Sequence, residues 1–213
     1  MWLVAIFADR VDAGRQLAAD LQHLREADAV VFGIPRGGVV VAAEVARSLA
    51  LPLAAVVVRK LGAPRHEEFA VGAIAEGVRI LNPGVMRTGE VSEDEIARVE
   101  DRERAELERR IRLFGAATHE VAGRIAIVVD DGVATGATAL AACQALRALG
   151  AERIVLAVPV APKEWRPDAA IVDGYICPHR ERLWAVGQFY TDFTQTSDEE
   201  VARLLARDLP DGG

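Results

Sequence analysis

Ile125-Ala126-Ile127-Val128-Val129-Asp130-Asp131-Gly132-Val133-Ala134-Thr135-Gly136-Ala137-Thr138 is the stretch that decides the fold. Five apolar residues, four of them β-branched, end on two carboxylates. A small-residue turn then runs into an alanine-rich segment over 137–149, so the pattern reads as strand, loop, helix. The strand is apolar without alternation, as expected of a central strand in a parallel sheet covered on both faces. Ligands of such sheets sit outside the carboxyl ends of the strands.

The loop has matching chemistry. Backbone N–H groups from Val133 to Thr138, the hydroxyls of Thr135 and Thr138 and the positive end of the following helix suit a phosphate monoester. Asp130 and Asp131 would repel a second phosphate. They can instead accept hydrogen bonds from paired hydroxyls or help hold a hard cation. A phosphate on one side and a diol on the other describe a ribose 5-phosphate. Two other phosphate motifs are absent: there is no Gly-Lys-Ser/Thr and no strand-linked G-x-G-x-x-G.

Upstream, residues 29–34 form a short apolar run followed by Pro35-Arg36-Gly37-Gly38 and a segment over 39–50 that packs through Val40, Val41, Val45 and Leu49. This is a second strand-loop-helix unit. Gly37 and Gly38 let a backbone approach an anion closely, and the Arg36 fork suits phosphate oxygens. Residues 53–60 read as one further strand with Arg59 and Lys60 at its carboxyl end. Two such units and the further strand imply an α/β fold, a doubly wound and mainly parallel sheet whose three strand ends share one crevice.

The 125–138 segment resembles the phosphoribosyl pyrophosphate (PRPP) signature of the type I phosphoribosyltransferases, with apolar strand, paired acids and Thr135-Gly136-Ala137-Thr138 in order. The resemblance implies a small hood on that core and transfer of the 5-phosphoribosyl group from PRPP to a nitrogen nucleophile, releasing pyrophosphate. It implies Asp130, Asp131 and Arg36 as catalytic residues, and Gly132, Val133, Ala134, Thr135, Gly136, Ala137 and Thr138 as the 5-phosphate loop. Pro35, Arg36, Gly37 and Gly38 match the pyrophosphate loop, and Arg59 and Lys60 resemble a basic pair directed at pyrophosphate. Residues 61–70, with Arg65, His66 and Glu67, occupy the place of a flexible lid that shields the reacting sugar from water. Magnesium is implied as Mg2+ bound with PRPP, with Asp130 and Asp131 as its nearest protein carboxylates. A homodimer is implied by family habit alone. The likeness runs from Phe7 to the final helix and is strongest to an uncharacterised bacterial branch of the family. No segment matches the base-binding parts of the hypoxanthine-guanine, adenine, orotate or uracil enzymes, so the acceptor is open. The alternative is a regulatory protein that binds PRPP or a nucleotide on the same fold without transferring.

The remaining segments are less specific. Residues 11–25 place Leu17, Leu21 and Leu24 at helical spacing. Asp9 and Arg10, with Arg15, could face a ligand, but a salt-bridged start to that helix is the preferred reading. Residues 71–74 and 78–81 suggest a hairpin about Glu76-Gly77. Residues 92–114 open with the capping box Ser92 and Glu95 and carry i,i+4 pairs Glu100–Arg104 and Glu106–Arg110, which predicts a long, largely exposed helix inserted into the minimal pattern. Further strands are expected over 153–160 and 169–172. The tail, 175–213, clusters Trp184, Phe189, Tyr190 and Phe193 before a last helix over 198–209; Trp184, Phe189 and Tyr190 are candidates for a flat wall on which a base would stack.

A chain of 213 residues with 51% hydrophobic and 27% charged residues is expected to form a single domain with a substantial core. A net charge of −7 argues against a nucleic-acid partner. The apolar start, 1–8, closes on Asp9-Arg10, too short to span a membrane and without a basic leader, so a cytoplasmic protein is expected. Cys143 and Cys177 have no metal-ligand spacing.

Overall fold

Strands rich in β-branched residues and buried on both faces form the centre of the computed structural model, which describes residues 5–63, 66–81, 91–115 and 121–206. Strands β1 (Ala29–Gly33), β2 (Leu53–Ala55), β6 (Ile125–Val129), β7 (Arg153–Ala157) and β9 (Gly174–Ile176) form one five-stranded sheet in the order β2-β1-β6-β7-β9, every pair parallel. That order reverses direction between β1 and β6. A doubly wound sheet opens its ligand crevice at such a switch point.

The alternation of side chains along each strand sorts the core into two layers. Val30, Phe32, Ala126, Val128, Ile154 and Leu156 face helix α4 (Ala137–Ala148), through Ala139, Ala142, Cys143 and Leu146. Ala29, Val31, Ile127, Val129 and Val155 face helices α1 (Arg10–Asp20) and α2 (Gly37–Leu49), through Leu17, Leu21, Val41, Val45 and Leu49. A small-residue helix and an aliphatic one thus cover opposite faces of the same sheet.

A second layer of structure lies beside the crevice. Strands β3 (Val58–Ala63), β4 (His66–Ala75) and β5 (Val78–Leu81) make an antiparallel sheet, with Gly77 in the left-handed region at the β4–β5 turn. Helix α3 (Glu93–Phe114) begins at the capping box of Ser92 and Glu95 and lays Ile96, Val99, Leu107 and Phe114 against this sheet. The anticipated pairs form, Glu100 with Arg104 at 2.5 Å and Glu106 with Arg110 at 2.7 Å. Both Arg109 and Arg110 hold the Glu106 carboxyl down at about 2. A short parallel pair, β8 (Val160–Pro162) with β10 (His179–Glu181), and helix α5 (Asp198–Ala206) complete the described chain.

Three sequence expectations need correction. Residues 53–60 do not form one strand: β2 ends at Ala55 and β3 starts at Val58 in a different sheet, so Arg59 and Lys60 sit on an antiparallel strand. A continuous apolar run carries no mark of where a chain changes sheets. Residues 169–172 turn instead of extending, and the edge strand follows at Gly174. The expected strand over 153–160 is interrupted after Ala157, and Val160 pairs with His179 instead of continuing the main sheet.

Candidate active site

The flush register of β1 and β6, with Gly33 opposite Val129, starts both following loops side by side. Ile34 N–H donates to Val129 O at 2.9 Å, so the 34–37 turn is stitched to the end of β6. The Pro35–Arg36 peptide in that turn is cis. Gly37 then lies against Asp131: a methyl group there would sit 2.0 Å from Asp131 Oδ2 and 2.6 Å from Arg10 Nε. Glycine at 37 serves the contact between the two loops, a nearer need than the approach of an anion. Together the loops wall a cavity of about 290 Å³ reached by Arg10, Pro35, Arg36, Asp130, Asp131 and Thr138.

Two carboxylates at the bottom of a cavity need countercharge, and the chain supplies it from far away. Arg10 Nε donates to Asp131 Oδ2 at 2.8 Å, across 121 residues. The Arg10 guanidinium also donates to Thr194 O at 2.8 Å and lies 3.9 Å from the centre of the Phe193 ring. Tyr190 Oη donates to the Asp131 carbonyl at 2.5 Å, which fixes the loop backbone from the opposite side. Burial pushes the Asp130 carboxyl well above the usual carboxylate range, and the Asp131 charge adds to it, against the Asp131 N–H and Arg10. Burial raises Asp131 as well, opposed by Arg10. The two titrate as one unit.

The rest of the loop is only partly free to hold an anion. Val133 N–H, expected in the phosphate cradle, donates instead to Val160 O at 2.9 Å. Thr135 O accepts from Trp165 Nε1 at 3.1 Å, and the Trp165 ring closes over Gly136, which has φ +80°. Helix α4 starts at Gly136 without a side-chain cap, and Thr135 and Thr138 are exposed. The first turn of α4 therefore keeps donors for an incoming anion.

Residues 5–193 match the family model described as the phosphoribosyl transferase domain. The chain belongs to that family. A Mycobacterium tuberculosis (strain ATCC 25618 / H37Rv) relative, named provisionally as a phosphoribosyl transferase, is 50% identical over 207 residues, which cover 95% of this chain and 47% of the relative. The chain thus spans about half the length of the curated relatives it matches. The crystal structure of TT1426 from Thermus thermophilus superposes with a TM-score of 0.82 at 40% identity, covering 96% of this chain and 99% of that one.

Within this phosphoribosyl transferase domain the remaining predicted residues fall into three groups. Arg59 and Lys60, on β3, are not part of the lining of the cavity over the acidic pair but line a neighbouring cavity of about 420 Å³ with Pro35 and Thr138; Arg59 is paired with Glu103 of α3 at 2.5 Å. Of the lid residues, Arg65 and the side chains of His66 and Glu67 lie outside the described residues, while the backbone of 66–75 belongs to β4. The aromatic wall does not form. Phe189 is fully buried with Phe7 and Val160, Tyr190 is buried beneath the acidic loop, and Trp184 stands 91% exposed by itself. Phe189 and Tyr190 seal the tail onto the domain, where they offer no open face for a base.

Sequence reasoning missed Trp165 and Asp198, and preferred for Arg10 a helix-start salt bridge over the site where the structure puts it. The expected salt bridge at the start of α1 does not involve Arg10: Asp9 caps the helix, accepting from Asp12 N–H at 2.8 Å, and Arg15 pairs with Glu44. Asp198, first residue of α5, sits between Arg36 at 3.6 Å and Arg109 at 3.0 Å. No local pattern joins residues that meet only after the sheet is built. Among the described residues no group of three or more His, Cys, Asp or Glu side chains is placed to hold a metal ion, and no helix is long and apolar enough to cross a membrane.

Proposed function

We propose that this domain binds PRPP across the β1–β6 switch point and transfers its 5-phosphoribosyl group to a nitrogen nucleophile, a nucleobase by preference, with release of pyrophosphate. The supporting observation is the meeting of the Asp130-Asp131 pair, the Arg36 turn and Thr138 in one cavity. Family membership supports the donor, and the geometry supports the division of labour.

Cleavage at the anomeric carbon leaves positive charge on the sugar and negative charge on the departing diphosphate. Asp130 and Asp131 accept hydrogen bonds from the ribose hydroxyls and favour the cationic ring. The first turn of α4, with Thr135 and Thr138, holds the 5-phosphate. Arg36, the 35–38 backbone, Arg59 and Lys60 take the pyrophosphate. Preorganised charge of this kind contributes about 3–4 kcal/mol for each group removed.

The residues fit a magnesium ion only as a shared ligand. Asp131 is held by Arg10, which leaves Asp130 as the carboxylate that would meet such a cation together with the bound substrate. Bound in that way, the ion supplies further positive charge to the leaving diphosphate.

The test is pyrophosphate release from PRPP with magnesium across a panel of purines, pyrimidines and small amines. Release with at least one acceptor, lost in Arg36→Ala, is the expected result. Tight PRPP binding with no release across the panel would reassign the domain to ligand sensing.

A further inference from the structure

The larger cavity beside the crevice has a wall that the minimal strand-loop-helix pattern does not account for. Its volume of about 420 Å³ lies in the range of small-molecule sites. It shares Ile34, Pro35 and Thr138 with the cavity over the acidic pair, so the two are neighbours across the 34–35 turn. One side is β3, with Arg59 and Lys60. The opposite side is helix α3, through Val99, Arg102, Glu103 and Arg110. Those four positions recur three, four and seven residues apart, so the helix turns one continuous face to the cavity.

The lining carries four cationic side chains and one carboxylate. Glu103 is committed to Arg59, at 2.5 and 2.7 Å, and Glu106, outside the lining, is committed to Arg110 at 2.7 Å. Arg102 has no acidic partner among the described residues and is exposed. A cavity lined with a surplus of arginine forks next to a phosphate-binding turn has the chemistry of a polyanion site. The lining also includes the apolar residues Ile34, Val57 and Val99.

We infer that helix α3 is part of the anion-binding machinery: Arg102 and Arg110 form the outer wall of a diphosphate site whose inner wall is Arg59 and Lys60. This rests on the reading proposed above and extends it, because it gives the inserted helix a ligand. The Arg59–Glu103 pair couples the two walls, holding the inner arginine in line with the outer ones. Arg102 binds by charge and fork geometry and takes no part in bond breaking.

Isothermal calorimetry with inorganic pyrophosphate and magnesium tests this on the full chain, with ribose 5-phosphate as a second probe that lacks the diphosphate. Arg102→Ala is expected to melt like the wild type and to bind pyrophosphate about 10-fold more weakly, the loss of one charge-assisted hydrogen bond. Its affinity for ribose 5-phosphate is expected to be unchanged, and Arg102→Lys, which keeps the charge without the fork, to fall between. Equal pyrophosphate affinity in wild type and Arg102→Ala would overturn the inference while leaving the transferase reading in place. Binding of ribose 5-phosphate without any binding of pyrophosphate would also overturn it. Binding of neither probe by the wild type would overturn both.

Discussion

Replacing Arg10 by alanine removes the guanidinium that pairs with Asp131, and its cost can be worked from the geometry. Arg10 and Asp131 are 11% and 16% exposed, so the variant strands a carboxylate in a largely dry setting. Breaking a buried ion pair from one side costs about 3–5 kcal/mol. The pair stands at the edge of a cavity, so the lower end applies, about 3 kcal/mol. For a chain of this size that is a fall in Tm of about 6–12 °C. The pH dependence follows from linkage. Asp131's folded pKa already lies above its ordinary value, because burial outweighs Arg10, and removing Arg10 raises it further. Above both folded values the variant shows its whole deficit; as pH falls through them, Asp131 takes up a proton in both proteins and the deficit closes. Adding Asp131→Asn to Arg10→Ala is expected to restore part of the loss at neutral pH. Scanning calorimetry from acid to neutral pH reads all three effects. An Arg10→Ala melting point within about 2 °C of wild type at neutral pH, where a buried pair should show fully, would refute the claim that this ion pair holds the acidic loop together.

Asp130→Asn is expected to melt higher than wild type at neutral pH: a carboxyl whose folded pKa is raised costs stability as pH rises from its unfolded to its folded value, and the amide removes that cost. The gain is expected to vanish near about pH 4, and turnover with PRPP to fall about 100- to 1000-fold; a lower melting point at neutral pH would count against burial as the cause of the shift. Gly37→Ala places a methyl group 2.0 Å from Asp131 Oδ2 and is expected to cost about 1–3 kcal/mol and to weaken ribose 5-phosphate binding by calorimetry, with unaltered binding as the contrary result. Gly136→Ala and Gly77→Ala make a matched pair, both at positive φ, where a left-handed alanine costs about 1–2 kcal/mol. Only Gly136 also has the Trp165 ring 2.3 Å from the added carbon, so its denaturation midpoint is expected to fall further; equal midpoints would mean that Trp165 simply swings aside.

What the sequence made readable was everything carried by local pattern. The apolar run 125–129, the helix after Gly136 and the Ser92 box each state their structure within a few residues, because strand burial, helix capping and turn geometry act at that range. The switch from β2 to β3 was hidden, since Val56 and Val57 are as buried as the strands on either side and differ only in which partner they meet. The tail misled for a related reason: clustered aromatics mark either a stacking surface or a seal, and only Phe189's position against Phe7 and Val160 decides for the seal.

The site's charges were hidden for a deeper reason, and it bears on how the site is held. The ion pairs that set the arginines and acids of the crevice run between distant parts of the chain: Arg10 with Asp131, Arg36 with Asp198, Arg59 with Glu103. A loop of small residues such as 132–136 has little side chain of its own with which to fix two repelling carboxylates. The restraint comes from the segments around 7–10 and 189–194, which meet where Phe7 bridges Tyr190 and Thr191 N–H donates to Phe7 O at 2.8 Å. From that junction Arg10 reaches one Asp131 oxygen and Tyr190 reaches the Asp131 carbonyl. The apolar contacts of Phe7, Phe189, Tyr190 and Phe193 therefore do electrostatic service at a distance: loosening them frees Arg10, and the acidic pair then has burial acting on it without the charge that opposes it.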